Sequence, residues 1–340
     1  MPTVSKIAEF IGVSKSTVSL ALNNKPGVSA DMRRHVLRAM EALRLQEDAV
    51  DGVLGLPAVS ERQYERKAVA IFHPPILESS QVFRELLMGI QAGADLLNLH
   101  LRLTINDPAA LPTHVSRLYL EEPGLRPDGV LIIGARQVEP ILDRIGALGI
   151  PCVLVARDVC EPGISAVGYA ERSAALEVTN HLVALGHRAI AFLGGDLAYR
   201  YTGERLAGYQ AALAAQEIAA PERWIVPGNG AAAARRLVAE CPDVTAVVCV
   251  NDAHAVAALP IFGEAGWRVP ERLSIVSFDD TDEVRECSPA LTSICYPRYQ
   301  VGLWSVRVLA EQLRDAQLQS VHMLFRSRLV VRASSAALHA

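Results

Sequence analysis

From residue 67 onward the chain alternates short apolar runs with segments of helical length. Runs rich in valine, isoleucine and leucine recur at 68–72, 100–105, 129–133, 152–155, 189–193, 246–250 and 273–278. Such continuous runs are typical of parallel strands buried on both faces, and parallel strands need crossover connections that are usually helical. The alternation therefore predicts an α/β fold, and some 270 residues are enough for two doubly wound, parallel-sheet lobes.

The first 45 residues follow a different pattern, that of three short helices. Thr3 can cap a first helix over 4–11, and Gly12 supplies the positive φ of a tight turn. Ser14 can cap a second helix over 15–22, and Ser29 a third one. Two helices joined by a short turn within so few residues indicate a helix-turn-helix head, whose second helix would enter the DNA major groove.

Charge separates this head from the rest of the chain. Residues 1–44 hold seven basic and three acidic side chains, a net charge of +4, whereas the whole chain carries −4. A small basic module on an acidic body is the asymmetry expected when one part alone meets nucleic acid. A solvated helical face would also explain the charge of the head. The helix-turn-helix pattern of the same residues favours the interpretation as a DNA-binding module.

Cysteines and apolar segments exclude several classes of protein. None of the six cysteines forms a C-x-x-C pair or has a histidine at metal-ligand spacing, so no metal is expected. Cys152 and Cys249 lie in apolar runs and are expected to be buried, structural thiols. The apolar runs are too short to span a bilayer, and charges interrupt the N-terminus, so we expect a cytoplasmic protein without a signal peptide.

Two other classes of protein share such an α/β body, namely NAD-type enzymes and ligand-binding modules. No G-x-G-x-x-G follows a predicted strand, and neither a G-x-S-x-G nor an H-E-x-x-H motif occurs. The chain is therefore not expected to be an enzyme or to need a cofactor. The basic head argues against a pure ligand-binding module, and both classes stay as alternatives.

Short motifs in a fixed order run through nearly the whole chain. They include Thr3-Val4-Ser5-Lys6-Ile7-Ala8, Gly12-Val13-Ser14-Lys15-Ser16-Thr17-Val18-Ser19, Pro127-Asp128-Gly129-Val130, Leu185-Gly186-His187-Arg188, Glu204-Arg205-Leu206-Ala207-Gly208-Tyr209, Asn251-Asp252 and Phe278-Asp279-Asp280. On these residues the chain resembles the lactose/galactose repressor (LacI/GalR) family. The resemblance implies a DNA-binding transcriptional regulator, most often a repressor. It also implies a body like periplasmic sugar-binding proteins, with three chain crossings between the lobes.

The patterns and the resemblance together give the domain boundaries. The helix-turn-helix domain takes 1–45, a hinge or linker 46–66, and an effector-binding and dimerisation body 67–335. Within the body, lobe 1 takes about 67–163 and 292–319, and lobe 2 about 164–291 and 320–335. Glu47, Asp48 and Asp51 of the hinge would face phosphates, so the hinge either orders differently on DNA or bends the operator less.

Candidate DNA contacts cluster in and around the second helix. Polar side chains at its N-terminus suit base edges and phosphates. Leu20 stands where the family commonly has arginine and suits a thymine methyl group, whereas Leu54 stands where a family leucine wedges into the minor groove. The predicted contacts are Thr3, Ser14, Lys15, Ser16, Thr17, Ser19, Leu20, Asn23, Lys25, Arg33 and Leu54.

Polar residues follow several predicted strands, where ligands sit in doubly wound folds. By resemblance, the effector-binding candidates include Arg157, Arg205, Asn251 and Asp279, with His73 and Phe83 in addition. Bidentate donors and carboxylates on rigid strand ends suit polyhydroxylated ligands. Asp252 and Asp280, by contrast, are expected to cap the helices that follow them.

Three departures from the family bear on the effector. Ala156 stands where an aspartate often precedes the arginine, and Ala170-Glu171 stands where Asp-Asn is common. The position where an aromatic ring often stacks on the sugar falls near Gly230, although Trp224 is close by in sequence. With Arg157, Arg200 and Arg205 at hand, these departures favour an anionic or otherwise atypical effector.

The need for specific DNA recognition predicts the oligomeric state of the protein. One head makes too few contacts for tight binding, so we expect a homodimer on a palindromic double-stranded DNA operator. Residues 334–340 are too short for the leucine-heptad tail that makes tetramers. A small-molecule effector, a sugar or sugar derivative, is expected between the lobes and would change operator affinity, with induction and corepression both open.

Overall fold

The computed structural model describes residues 3–22, 25, 27–29, 32–33, 35–37, 39–40, 67–72, 80–105, 126–133, 139–157, 163–315 and 317–338. The chain divides into two compact units, Met1–Arg62 and Gln63–Ala340. The candidates Asn23, Leu54 and His73 and the whole of the predicted linker, 46–66, lie outside the described residues.

The first unit is a small helical head. Helix α1 spans Val4–Ile11, helix α2 spans Lys15–Leu22, and the described residues between 32 and 40 form a third helical segment. Gly12 joins α1 to α2 at a φ of 69°, a conformation that residues with a Cβ rarely adopt. The shared apolar core comprises Ile7, Ala8, Val18, Ala21, Val36 and Ala39. The predicted helix-turn-helix is therefore confirmed.

The second unit contains two lobes, each built on a six-stranded sheet. The first lobe has β1 (Lys67–Phe72), β2 (His100–Ile105), β3 (Gly129–Ile133), β4 (Cys152–Val155), β5 (Ser165–Tyr169) and β11 (His322–Phe325). The strand order is β11-β5-β4-β3-β1-β2, and every pairing is parallel. Its helices are α3 (Ser80–Leu96), α4 (Glu139–Ala147) and α10 (Arg298–Arg314).

The second lobe repeats this architecture. Its strands are β6 (Ile190–Leu193), β7 (Ile225–Val226), β8 (Ala246–Cys249), β9 (Ser274–Phe278), β10 (Thr292–Cys295) and β12 (Arg328–Val330), in the order β12-β10-β9-β8-β6-β7. All pairs are parallel except β10 with β12. Its helices are α5 (Glu171–Ala184), α6 (Arg200–Ala214), α7 (Gly230–Glu240), α8 (Asp252–Glu264) and α9 (Asp282–Glu286). Two parallel α/β lobes were predicted, and this is confirmed.

The chain crosses between the lobes three times, after β5, after β10 and after β11. The lobe boundaries given by the sequence are wrong by several residues at each crossing. Residues 165–169 and 322–325 pair in the first sheet, and residues 292–295 pair in the second. The reason is that each of these short strands completes a sheet before the chain leaves it, and an apolar run does not reveal which sheet a strand joins.

The cores of the two lobes are apolar and contain free thiols. Cys152 and Cys249 are buried and unpaired, as predicted, and burial raises the pKa of the Cys152 thiol to about 12. In the described part of the chain, no helix is both long and apolar enough to cross a bilayer. The same residues contain no group of three or more His, Cys, Asp or Glu side chains that could hold a metal ion.

Candidate functional site

Helix α2 of the head presents polar side chains to solvent. Lys15, Ser16 and Ser19 are exposed, whereas Thr17 and Leu20 are half-buried. Ser14 caps the helix, because its Oγ accepts a hydrogen bond from the Thr17 backbone N–H at 3.1 Å. The same Oγ lies 2.7 Å from Ser16 Oγ and 2.8 Å from Thr17 Oγ1. The cap fixes the first turn of α2, from which the predicted base-reading side chains project.

Two other predicted DNA contacts also hold the head together. Arg33 donates from Nη1 to the carbonyl oxygen of Ala21 at 3.3 Å and from Nη2 to that of Lys25 at 2.9 Å. A cation at the last carbonyls of a helix satisfies acceptors that lack intrahelical partners. Thr3 Oγ1 accepts from the Lys6 N–H at 3.3 Å and so caps α1. Sequence reasoning foresaw the Thr3 cap but not the role of Arg33 in the fold.

In the body, five buried or half-buried ionisable side chains meet at the carboxyl ends of the strands. We call Glu85, Glu171, Arg205, Asp279 and Arg298 the charge cluster. Glu171 binds Arg205 through two hydrogen bonds, from Nε to Oε2 at 2.7 Å and from Nη2 to Oε1 at 3.1 Å. Arg205 also donates from Nη1 to the carbonyl of Val250 at 2.5 Å, and its Nη2 lies 3.8 Å from Asp279 Oδ1. Such bidentate pairing is the strongest arrangement open to a guanidinium and a carboxylate.

Arg298 joins the two lobes. It is the first residue of α10, and it donates from Nη1 to Glu85 Oε2 of α3 in the first lobe at 3.0 Å. Its Nη2 donates to the backbone carbonyl of Asp279 in the second lobe and lies 3.7 Å from Asp279 Oδ1. A second contact between the lobes is the hydrogen bond from the Asp282 N–H to Gln81 Oε1, at 2.7 Å.

Asp279 has an unusual backbone as well as a central position. Its φ is 111°, a region that residues with a side chain rarely adopt, and such outliers occur preferentially at functional sites. Burial raises the pKa of the Asp279 carboxyl, while the charges of Arg205 and Arg298 lower it, and the net shift is upward. Asp279 is thus held between two arginines at the end of β9.

Aromatic rings surround the cluster. The Arg205 guanidinium lies 4.5 Å from the ring centre of Phe278 and 5.0 Å from that of Tyr201. Tyr296 donates its hydroxyl to Glu171 Oε2 at 2.5 Å, and its ring lies 4.6 Å from the ring of Tyr169. Among the residues that the structure describes, the buried Tyr169 hydroxyl and Arg298 Nε have no hydrogen-bond partner. Unsatisfied buried donors need an explanation, and a bound ligand or an ordered water would supply one.

The other effector candidates are spread around these strand ends. Asn251 caps α8, because its Oδ1 accepts from the His254 N–H at 3.0 Å, and the same oxygen lies 2.6 Å from His254 Nδ1. Arg157 is half-buried directly after β4, and its backbone packs on Gly168, where a Cβ would lie 2.2 Å from the Arg157 carbonyl oxygen. Phe83 is half-buried on α3. Arg205 and Asp279 are therefore the two candidates that the structure brings together.

The predicted helix caps at Asp252 and Asp280 are wrong. Asn251 already caps α8, so the buried Asp252 carboxylate accepts from the hydroxyls of Ser277 and Ser293 and from the Thr281 N–H. Asp280 precedes Thr281, the capping position of α9, and binds Arg285 at 2.8 Å and also Arg332. Both carboxylates thus tie neighbouring segments of the second lobe together.

The aromatic residue near the predicted sugar position has a structural role. Trp224 is buried in the apolar core of the second lobe, so it offers no face to a ligand. Gly230 lies against α8, where a Cβ would be 2.4 Å from the His254 carbonyl oxygen. A larger residue at position 230 therefore has no room in this arrangement of the second lobe.

Comparison with known proteins identifies the family. Residues 3–45 match the bacterial regulatory proteins of the lacI family, and residues 179–335 match the periplasmic binding protein-like domain. The crystal structure of the transcription regulator GntR from Chromobacterium violaceum is 31% identical, with a TM-score of 0.68 over 79% of this chain and 99% of that one. The chain belongs to the lacI family.

Two further proteins match along nearly the whole chain. The complex of the transcriptional regulator CelR with cellobiose is 26% identical and has a TM-score of 0.72, covering 98% of this chain and 100% of that chain. Catabolite control protein A of Staphylococcus xylosus is 26% identical over 338 residues, which are 98% of this chain and 99% of that protein. The chain is therefore a DNA-binding transcriptional regulator with a periplasmic-binding-protein-like effector domain, and not an enzyme.

Sequence reasoning missed most of the charge cluster. It noted Glu171 as a departure from the family pattern but gave it no role in the site. Tyr296 and Arg298 come directly after β10, and β10 was not among the predicted strands. Had that strand been recognised, the rule that polar residues after a strand line the site would have found both side chains.

Proposed function

We propose that this lacI-family regulator is a repressor that binds a palindromic operator as a homodimer, and that a small sugar-like effector in the body controls its operator affinity. The observation that carries the proposal is the charge cluster, because its members come from both lobes. Glu85 and the neighbouring Tyr169 belong to the first lobe, whereas Arg205 and Asp279 belong to the second. A ligand that binds these groups touches both lobes and therefore stabilises one arrangement of them.

DNA recognition is assigned to α2. The exposed Lys15, Ser16 and Ser19 are proposed to contact base edges and phosphates, and Leu20 an apolar base edge. Thr3, Ser14, Thr17, Asn23, Lys25, Arg33 and Leu54 complete the proposed interface. Because one head offers so few contacts, two heads on two half-sites are needed for tight and specific binding. The regulator would act in the cytoplasm, where the DNA is.

A sugar is the effector class that the cluster suits best. Polyhydroxylated ligands need carboxylate acceptors on rigid strand ends, and Asp279, which lies 3.8 Å from Arg205 Nη2 at the end of β9, offers one. The cellobiose complex of CelR supports the same class. The argument for an anionic effector depends on the positive charges of Arg157, Arg200 and Arg205. Two of these charges are already partnered: Arg205 is paired with Glu171, and Arg200, which is 51% exposed, lies 4.0 Å from Glu204.

Selection of genomic DNA fragments by the purified full-length protein at moderate salt tests the proposal. Enrichment of a palindrome of roughly 14–20 base pairs is the expected result, since a dimer reads two half-sites about one helical turn apart. The neighbouring genes then suggest sugars for titration against the protein–operator complex. Absence of any enriched palindrome, with and without sugars, contradicts the proposal and favours a ligand-binding module. Equal operator affinity with and without a saturating effector contradicts the coupling.

A further inference from the structure

Glu171 has an unusual place for an acidic residue at the start of a helix. It is the first residue of α5. A carboxylate at this position ordinarily stays in water, where the positive end of the helix dipole stabilises it. Here the side chain turns inward and is only 8% exposed. Its carboxylate therefore serves a contact inside the lobe and not the solvated end of the helix.

The contacts of Glu171 occupy Arg205 almost completely. Two of the guanidinium nitrogens bind the carboxylate, at 2.7 and 3.1 Å, and the third donates to the Val250 carbonyl. The rings of Phe278, Tyr201 and Tyr296 lie 4.5, 5.0 and 5.4 Å from the guanidinium carbon. An arginine in this state is neutralised and enclosed. An incoming anion would have to displace Glu171 before it could form a bidentate pair.

The rest of the cluster is also unfavourable to anions. Arg298, the second cation, is paired with Glu85 and lies against Asp279, so three carboxylates face two guanidinium groups. Around the cluster, two buried atoms have no partner within the described part of the chain, the Tyr169 hydroxyl and Arg298 Nε, and both can donate to the oxygen of an uncharged hydroxyl group.

Resting on the proposed function of this site, we propose that Glu171 sets the charge selectivity of the effector site. By holding Arg205, it makes the site prefer uncharged polyhydroxylated effectors to the corresponding sugar acids and sugar phosphates. Removal of its charge, with the size of the side chain kept, leaves the buried guanidinium without its counterion and shifts that preference towards anions.

The test compares wild-type protein, Glu171→Gln and the matched control Glu177→Gln, which removes an exposed carboxylate from the same helix. Calorimetric titration uses paired probes: cellobiose with cellobionate, galactose with galacturonate, and glucose with glucose 6-phosphate. Wild type and Glu177→Gln are expected to bind the neutral member of a pair more tightly. In Glu171→Gln the ratio of neutral to anionic affinity is expected to fall about tenfold or more, because one fixed charge is removed. An unchanged ratio, or a wild-type preference for the anion, overturns the proposal.

Inorganic phosphate serves as a probe that does not depend on the effector's identity. At constant ionic strength, millimolar phosphate is expected to raise the thermal midpoint of Glu171→Gln but not that of wild type or Glu177→Gln. The double variant Glu171→Gln, Arg205→Gln should lose the effect. No phosphate response in Glu171→Gln overturns the role of Glu171 and leaves the operator proposal intact.

A variant that keeps the charge allows the proposal to be tested even if Glu171→Gln does not fold. Glu171→Asp withdraws the carboxylate by one methylene, so it weakens the bidentate pair without leaving Arg205 unneutralised. It should show a smaller phosphate response in the same direction. If Glu171→Gln does not fold and Glu171→Asp behaves as wild type, the proposal is wrong. Loss of operator selection in wild type would instead contradict the proposed function.

Discussion

Helix α2 in the head and the charge cluster in the body use polar side chains in opposite ways. Lys15, Ser16 and Ser19 are exposed on the surface of α2. Glu171 and Arg205, in contrast, are buried and satisfy each other. We infer that substitutions in α2 change binding with little change in stability, whereas substitutions in the cluster change both. The following predictions test this contrast.

The largest effect is expected for Arg205→Met, which leaves Glu171 buried without its cation. Removal of one member of a buried ion pair typically costs about 3–5 kcal/mol, because the remaining charge is neither hydrated nor paired. Urea unfolding of the full-length protein, followed by tryptophan fluorescence, measures the loss. Arg200→Met is the control, since its partner Glu204 is 4.0 Å away and exposed pairs contribute about 0–1 kcal/mol. Equal losses of unfolding free energy in the two variants would mean that water hydrates Glu171. The contrast between the charge cluster and α2 would then be wrong.

The next largest effect is expected in the pH dependence of the unfolding free energy, through Asp252. Burial, and then the charge of Asp279, raise the pKa of Asp252 to about 7. In the range between the ordinary carboxyl pKa and that value, the folded state holds a proton that the unfolded chain has lost. Stability from this group therefore falls as the pH rises from 5 to 7, by at most about 1.4 kcal/mol per pH unit.

Asp252→Asn cannot titrate, so the difference in unfolding free energy between wild type and this variant should decrease across that pH range. Asp243→Asn, which alters an exposed aspartate of the same lobe, should leave the wild-type pH dependence unchanged. A wild-type curve parallel to that of Asp252→Asn would show that the carboxylate is ionised throughout, held by Ser277, Ser293 and Thr281.

The two regions also differ in how far the sequence predicted them. The head's caps and core follow from residues three or four positions apart, so Thr3, Ser14 and Ser29 were identified as caps from spacing alone. In the cluster, Glu171 meets Arg205 across 34 positions and Tyr296 across 125 positions. Pattern and propensity describe local structure, and they do not specify which distant side chains meet.

The same limit explains the errors in the fold. Continuous apolar runs such as those of β3 and β8 were found because central parallel strands are buried on both faces. The strands β5, β7, β10, β11 and β12 contain polar residues or only a few positions, so no continuous apolar run marks them. Three of them, β5, β10 and β11, come directly before the crossings between lobes, and the predicted lobe boundaries failed there.

A smaller effect is expected for Ser14→Ala in the head. Loss of the Oγ acceptor for the Thr17 N–H should cost about 1 kcal/mol in the opening free energy of α2. Amide hydrogen exchange over residues 15–22 of the full-length protein measures that energy. Ser19→Ala changes an exposed serine of the same helix and should not reduce protection, because alanine has the higher helix propensity. Equal protection in the two variants would mean that packing, rather than the cap, fixes α2.

The smallest effect on stability, and the sharpest separation from the cluster, is expected for Lys15→Ala. Its side chain is exposed, so the unfolding free energy should change by less than about 0.5 kcal/mol. Operator affinity should nevertheless fall. If Lys15 binds a phosphate, the slope of log affinity against log salt should become shallower by about 0.9 for each phosphate that is no longer neutralised, while a base contact would relax specificity at one position. Arg236→Ala, an exposed arginine of the second lobe, should alter neither quantity. Unchanged operator affinity in Lys15→Ala would remove the N-terminus of α2 from the DNA interface.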